Sequence, residues 1–346
     1  MIKPVLNNYS YIVTRSPLRI SLVGGGTDFS KFYSENGGYF ISSAINKFIY
    51  CTIKRHGTAF DEAYRLNYSD VEMVNRYSEI KNEIIRASLD RFSAEGYFLD
   101  RLYIGTIGDM PSNSGLGSSS AFSCALDLGL NQLSSNLPFS PNVLATRACA
   151  LEIDILKKPI GIQDQWATAN GGLRWYQILN DGEVVSGDLN LTNEQKVVLS
   201  NSLLLVDTGK FRNAESITKT YSHPDRNQEK LLLKLLHLAQ RLGVDLSHVG
   251  VDEIPNFLGE QLRYSWDLKK NLSSQVSSSS IDDLYETLLS LGCLGGKISG
   301  AGGGGYLLMV APPERMDFIK SHLTSLKILF ETPSVHERGT EVLVNC

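Results

Sequence analysis

The sequence predicts a protein of two domains that mixes helices and strands, α/β or α+β in outline, and three observations carry that expectation. The chain has 346 residues, more than a single core usually holds. Short β-branched and aromatic runs are interleaved with stretches whose apolar residues recur every three or four positions, so strands and helices both form. The texture then changes near 190–200, beyond which long helical patterns dominate, and the expected domains are 1–195 and 196–346.

From the N-terminus, "YIVTRSPLRISLVGGG" reads as strand pieces around Pro17, and "TDFSKFYSENGG" as a short helix closed by Gly37 and Gly38. "FIYCTIKRH" and "YRLNYSD" have strand composition, ahead of a helical stretch near 80–94 and a strand at 100–109. Phe122, Ala125, Leu126, Leu130 and Leu133 place a helix from about Ser118. Ser140 and Pro141 offer an N-cap and a first-turn proline for a second helix to about Leu156, with Leu144, Ala148, Leu151 and Ile155 on one stripe. "GGLRWYQI" and "EVVSGDL" are strand-like runs flanking an "NDGE" turn, and "NSLLLVDTG" is a buried-type strand. Helices follow at about 227–243, 253–271 and 281–291, with "SSQVSSSS" (273–280) expected as a flexible loop. A strand-loop-strand around "SGAGGGG", a helix from about 313 and a last strand "EVLVN" complete the chain.

Composition narrows the function. Apolar residues make up 42% and charged residues 20% of the chain, an ordinary globular mix. The net charge is −4 with no long Lys/Arg run, which argues against a nucleic-acid partner. Cys51, Cys124, Cys149, Cys293 and Cys346 are odd in number and contain no CxxC pair, so reduced thiols in a cytoplasmic protein are expected. No stretch approaches the roughly 20 apolar residues of a membrane span.

Chemistry is concentrated in three glycine clusters. In "PSNSGLGSSSAF" (111–122) a strand ends in a Gly/Ser loop that opens a helix, which gathers unpaired backbone N–H groups at the positive end of the helix dipole. Small side chains there let phosphate oxygens approach closely, and a first-turn serine hydroxyl can reach Mg2+. A plain turn needs one glycine, whereas Gly115, Gly117 and three serines stand together. The loop is not a Walker A motif, because GxxxxGK[ST] is absent. "KISGAGGGGYLLMV" has GxGxxG spacing at Gly300, Gly302 and Gly305, but a strand rather than a helix follows, so a dinucleotide site is not expected. Its glycines allow close approach to a ligand or to the other domain. "PLRISLVGGGTDF" places Arg19 on a strand and Asp28 after three glycines, where a surface ion pair and an N-cap are equally open readings.

Two carboxylates stand out in "EIDILKKPIGIQDQWATANGG". Glu152 falls at the edge of the helical stripe, as an ion-pair partner of a cation such as Arg147 or as a metal ligand. Asp164 is expected in the loop beyond, between two glutamines.

Taken together, "PLRISLVGGGTD", "PSNSGLGSSSAF", "GIQDQ" and "KISGAGGGGYLLMV" resemble the ordered motifs of the GHMP kinase superfamily, which includes galactokinase, homoserine kinase and mevalonate kinase. Within it, "SPLRISLVGGGTDF", "SSAINKFIY", "NSGLGSSSA", "GIQDQWATANGGL" and "LLLVDTGKFRNAESI" are most similar to D-glycero-D-manno-heptose 7-phosphate kinases. The resemblance implies an N-terminal domain like ribosomal protein S5 domain 2 and a ferredoxin-like C-terminal domain, with ATP and Mg2+ bound between them. It implies transfer to the anomeric oxygen of a heptose 7-phosphate, on the route to a nucleotide-activated heptose for surface polysaccharide.

By motif position, Pro111, Ser114, Gly115, Leu116, Gly117, Ser118, Ser119 and Ser120 would form the ATP loop. Ser119 and Glu152 would hold Mg2+. Asp164 would face the acceptor hydroxyl with Arg19 beside it. Gly25, Gly26, Thr27 and Asp28 would meet the sugar, as would Gly302 and Gly303. Gly25 and Gly26 replace the Glu-His of galactokinases, which argues against galactose. For the second phosphate, Lys210 and Arg212 are the expected clamp, with Arg174 and Lys47 in reserve. A homo-oligomer is compatible with the sequence. The rival readings are a free-sugar kinase of the same superfamily, for L-fucose or another sugar, and a sugar- or ATP-sensing regulator without turnover.

Overall fold

The run around Pro17 forms one strand, not pieces. β1 spans Tyr11–Val23 and leads through α1 (Ser30–Asn36) into β2 (Gly38–Arg55), its long antiparallel partner. Pro17 sits at a register shift between Pro17 and Arg19, where the ladder tolerates a missing N–H. The computed structural model describes residues 9–135, 138–210 and 214–346.

β3 (Tyr64–Asn67) and β4 (Val71–Val74) make a short hairpin. α2 (Glu83–Ala94) begins on Asn82, whose side chain accepts the Ile85 N–H, and β5 (Leu102–Gly108) then slots between β2 and β3. α3 (Ser118–Ser134) is buried along almost its whole length beneath this sheet. α4 (Pro141–Cys149) starts where the sequence predicts, Ser140 Oγ accepting the Val143 N–H. Its continuation departs from expectation, because Ala150–Ile155 widens into a π-helical turn. An extra residue in a turn rotates everything after it. Ile155, expected on the apolar stripe, is 49% exposed, whereas Glu152 is fully buried.

α5 (Gln163–Asn170) and the hairpin of β6 (Leu173–Ile178) and β7 (Val184–Asp188) complete the first lobe, with β6 paired to β2. α6 (Asn193–Asn201) opens on a Thr192/Gln195 capping box, and the expected division at 195 falls inside this helix.

The second lobe begins at β8 (Leu203–Asp207) and α7 (Ala214–Thr218). α8 (Arg226–Asp245), α9 (Ile254–Lys270) and α10 (Ser279–Ser290) follow, then β9 (Gly295–Ile298), β10 (Tyr306–Val310), α11 (Met316–Ser325) and β11 (Phe330–Glu331). The four strands form an antiparallel sheet in the order β11-β8-β10-β9, the ferredoxin-like arrangement. β12 (Glu341–Asn345) crosses back to pair with β1 at the edge of the first sheet. Leu18, Ile20 and Leu22 of β1 pack in one core with Leu203 and Leu205 of β8 and Leu258 of α9, so the two lobes share buried surface.

The serine-rich stretch 273–280 is anchored, contrary to the expected flexible loop. Val276 is fully buried in the second core, and its carbonyl accepts the Gly303 N–H at 2.7 Å. All five cysteines are free thiols. Among the described residues no helix is long and apolar enough to cross a membrane.

Candidate active site

The three glycine-bearing segments converge on one cleft of about 280 Å³ between the lobes. The junction after β5 builds its floor. α3 starts on Gly117, held at φ 80° without any side-chain cap, and its first internal bond runs from the Ala121 N–H to the Gly117 carbonyl. Ser118, Ser119 and Ser120 therefore place their N–H groups ahead of that bond, at the positive end of the helix dipole and lining the cleft. The loop at 300–305 closes over this junction. A Cβ on Gly115 would stand 2.6 Å from the Ser299 carbonyl oxygen, and one on Gly300 would stand 2.8 Å from the Gly115 oxygen. Only bare backbone fits on both sides of that contact.

Arg19 joins the junction to α5. From β1 its backbone N–H donates to the Leu116 carbonyl at 2.9 Å and its guanidinium to the Gly115 carbonyl at 2.7 Å. Its remaining edge grips Asp164 in a fork, at 2.7 Å from Nε to Oδ1 and 2.5 Å from Nη2 to Oδ2. Arg19 is 3% exposed, while the Asp164 side chain keeps 30% of its surface open. Asp164 lies in the first turn of α5, not in a loop as expected.

Asp28 is not the N-cap of α1, a position held by Phe29. Its Oδ1 accepts the Gly26 N–H at 2.8 Å and its Oδ2 the Gln163 N–H at 3.1 Å, which ties the first glycine loop to the start of α5. Burial pushes the Asp28 carboxyl above its ordinary value, and these two backbone N–H groups oppose the shift.

Glu152 is the deepest carboxylate of the site. It accepts hydrogen bonds from Ser119 Oγ at 2.6 Å, Ser120 Oγ at 2.7 Å and Gln165 Nε2 at 2.7 Å. Its counter-charge is Lys158, at 3.6 Å. Arg147, the expected alternative, pairs with Asp127 and Glu95 instead.

The sequence profile for the GHMP kinases N terminal domain matches residues 82–172, and that for the GHMP kinases C terminal domain matches residues 254–327. The chain carries both the N-terminal and the C-terminal domain of the GHMP kinases. It is accordingly a kinase of the ATP-using phosphotransferase class, and its curated relatives include sugar kinases. A D-glycero-alpha-D-manno-heptose 7-phosphate kinase of Campylobacter jejuni is 28% identical over 326 residues, covering 90% of this chain and 92% of that one. A bifunctional fucokinase/GDP-fucose pyrophosphorylase of Arabidopsis thaliana is 26% identical over 85% of this chain, which spans 29% of that longer protein. Among solved structures, a D-glycero-D-manno-heptose 1-phosphate kinase from Bacteroides thetaiotaomicron superposes with a TM-score of 0.78 over 96% of this chain and 99% of that one. At 20% identity, that likeness speaks for the fold.

Several residues expected in the GHMP kinase site stand elsewhere. Thr27 is fully buried and donates its hydroxyl to the Gly24 and Tyr39 carbonyls, so it braces the first loop. Leu116 is fully buried in the shared core, and exposed Pro111 lies outside the cleft lining. Gly302 and Gly303 pack on Val276, while Gly300 and Ala301 face the cleft. Arg174 pairs with Asp188 on the β6–β7 hairpin at 2.6 Å, and Lys47 with Glu331 at 2.6 Å; neither lines the cleft. Lys210 also lies outside it, the Lys210 carbonyl accepting the Gly305 N–H, and Arg212 falls outside the described residues.

The cations that do line the cleft, besides Arg19, are Lys158 and Lys269. Neither had a sequence signal beyond being one of an adjacent lysine pair. Gln163 and Gln165 flank Asp164 in "QDQ", and only the α5 helix reveals that Gln163 reaches Ser21 while Gln165 reaches Glu152.

Proposed function

We propose that this GHMP kinase phosphorylates the C1 hydroxyl of D-glycero-D-manno-heptose 7-phosphate, with ATP as donor, to give the 1,7-bisphosphate. The observation that carries the reading is the Arg19–Asp164 fork set at the mouth of an uncapped helix. In this reading the N–H groups of Ser118, Ser119 and Ser120 hold the triphosphate, and Asp164 orients the acceptor hydroxyl and takes its proton. The O1–Pγ bond forms as the bond from Pγ to the β-phosphate bridging oxygen breaks. ADP leaves, and the proton passes from Asp164 to solvent.

Mg2+ fits the residues present. One buried carboxylate, Glu152, with the Ser119 hydroxyl against it, is the donor set expected for a cation whose other ligands are phosphate oxygens and water. When bound, the metal would neutralise charge on the donor's phosphates. Lys158, 3.1 Å from Ser119 Oγ, stands ready to share that task. Glu152→Gln keeps the shape and removes the charge, and it is expected to raise the Mg2+ concentration for half-maximal activity about tenfold or more. An unchanged metal titration would remove Glu152 from the cation site.

Support for a phosphorylated heptose comes from the Campylobacter jejuni relative, described as a heptose 7-phosphate kinase. The deciding experiment incubates the protein with ATP and Mg2+ and a panel of heptoses, heptose 7-phosphates, L-fucose and galactose, and locates the added phosphate by ³¹P NMR. The expected product carries a new anomeric phosphate on heptose 7-phosphate. Turnover of free L-fucose alone would overturn the reading.

A further inference from the structure

We propose that Lys269 is the cation that binds the phosphoryl group of the acceptor, supplied to the cleft by the second lobe. The inference rests on the phosphosugar reading above.

Lys269 and Lys270 are neighbours at the end of α9 but point into different surroundings. Lys270 is half-exposed, within 3.9 Å of Asp267 and Asp282 and over the Trp266 ring. Lys269 is 6% exposed and lines the cleft, its ammonium donating to the Gly300 carbonyl. Among the described residues no carboxylate lies within 4.0 Å of it. A buried ammonium with one carbonyl partner retains two N–H donors and has no counter-ion in contact, a costly state that an anion relieves.

The other charged groups lining the cleft are already engaged. Arg19 is taken by Asp164 and Gly115, and Lys158 by Glu152 and Glu83. Asp28 is held by two backbone N–H groups. Burial, then the nearby Arg19, pulls the Lys269 ammonium down to about 8 against the opposing pull of Asp28 and Asp164, and a phosphate dianion in contact with it would push it back up. The cations that charge alone would suggest for this task, Arg174 and Lys47, are paired outside the cleft.

The transferred phosphate of the nucleotide offers the same chemistry, so the test separates the two. Steady-state kinetics of the wild type, Lys269→Met and Lys269→Gln are measured on heptose 7-phosphate, on the heptose lacking the phosphate, and against ATP. Gln retains a donor for the Gly300 carbonyl and removes only the charge, and thermal melts establish that both variants fold. Loss of a charge-assisted contact is expected to raise KM for the 7-phosphate about tenfold or more in both variants, with KM for ATP and the constants for the free heptose within about twofold.

A 7-phosphate KM that stays near wild type overturns the proposal. So does an equal loss on both acceptors, which would make Lys269 a brace for the glycine loop. A rise in the ATP constant alone assigns it to the nucleotide and overturns the acceptor role. Failure of the phosphosugar reading shows separately, in a wild type that turns over only unphosphorylated sugars.

Discussion

Asp164→Asn is expected to lower turnover by about 10² to 10⁴, the range typical of losing a positioned general base. The substitution preserves size and one acceptor oxygen, so Arg19 keeps half of its fork and its bond to the Gly115 carbonyl. Arg19 is buried, so neutralising Asp164 should also lower the melting temperature, and the loss of rate is therefore read on the folded variant. Single-turnover measurements at saturating ATP check the point. A fall under about threefold in a folded variant would take Asp164 out of the chemistry, because even weak general-base help exceeds that.

A different kind of loss is expected for Asp127→Ala. Asp127 of α3 is fully buried between two guanidiniums, Arg91 from α2 and Arg147 from α4, the latter at 2.7 Å from Nε. Arg147 also holds Glu95 at 2.7 Å and lies over the Phe92 and Phe139 rings, so this cluster joins three helices. Deleting the carboxylate leaves two partly buried cations facing each other, and breaking such a buried pair costs about 3–5 kcal/mol. Urea unfolding should register a loss of unfolding free energy of that size, a large share of the 5–15 kcal/mol that holds a typical domain together. KM for ATP should stay near wild type in the folded fraction, because Asp127 lies outside the cleft lining. A shift below about 1 kcal/mol would mean that the cluster is no more than a surface ion pair in its effect.

Much of the local structure was legible in sequence because its causes are local. The Ser140-Pro141 start of α4, the glycine that opens α3 and the strand-loop-strand at 295–310 follow from capping, φ freedom and side-chain period, and all three form. The π-helical turn at 150–155 escaped because the stripe Ala148, Leu151 and Ile155 suits an ordinary helix. Tertiary demand for a buried carboxylate under Ser119 and Ser120 overrides that periodicity. The reserve cations Arg174 and Lys47 lie outside the cleft for a related reason. Lys47 finds Glu331, 284 positions away, and no local pattern encodes such a partner.

By itself, the amino-acid order determined that three glycine-bearing segments would leave backbone N–H groups and tight loops, one of them close after Arg19. The residue types set backbone freedom, charge and capping within a few positions of themselves. Only the tertiary structure decided that those segments share one cleft, that Lys158 rather than Arg147 answers Glu152, and that Lys269 enters the cleft while Lys270 meets solvent. The reason is physical: burial and Coulombic pairing depend on distances in space between groups far apart along the chain, and these exist only once both lobes close on their common core.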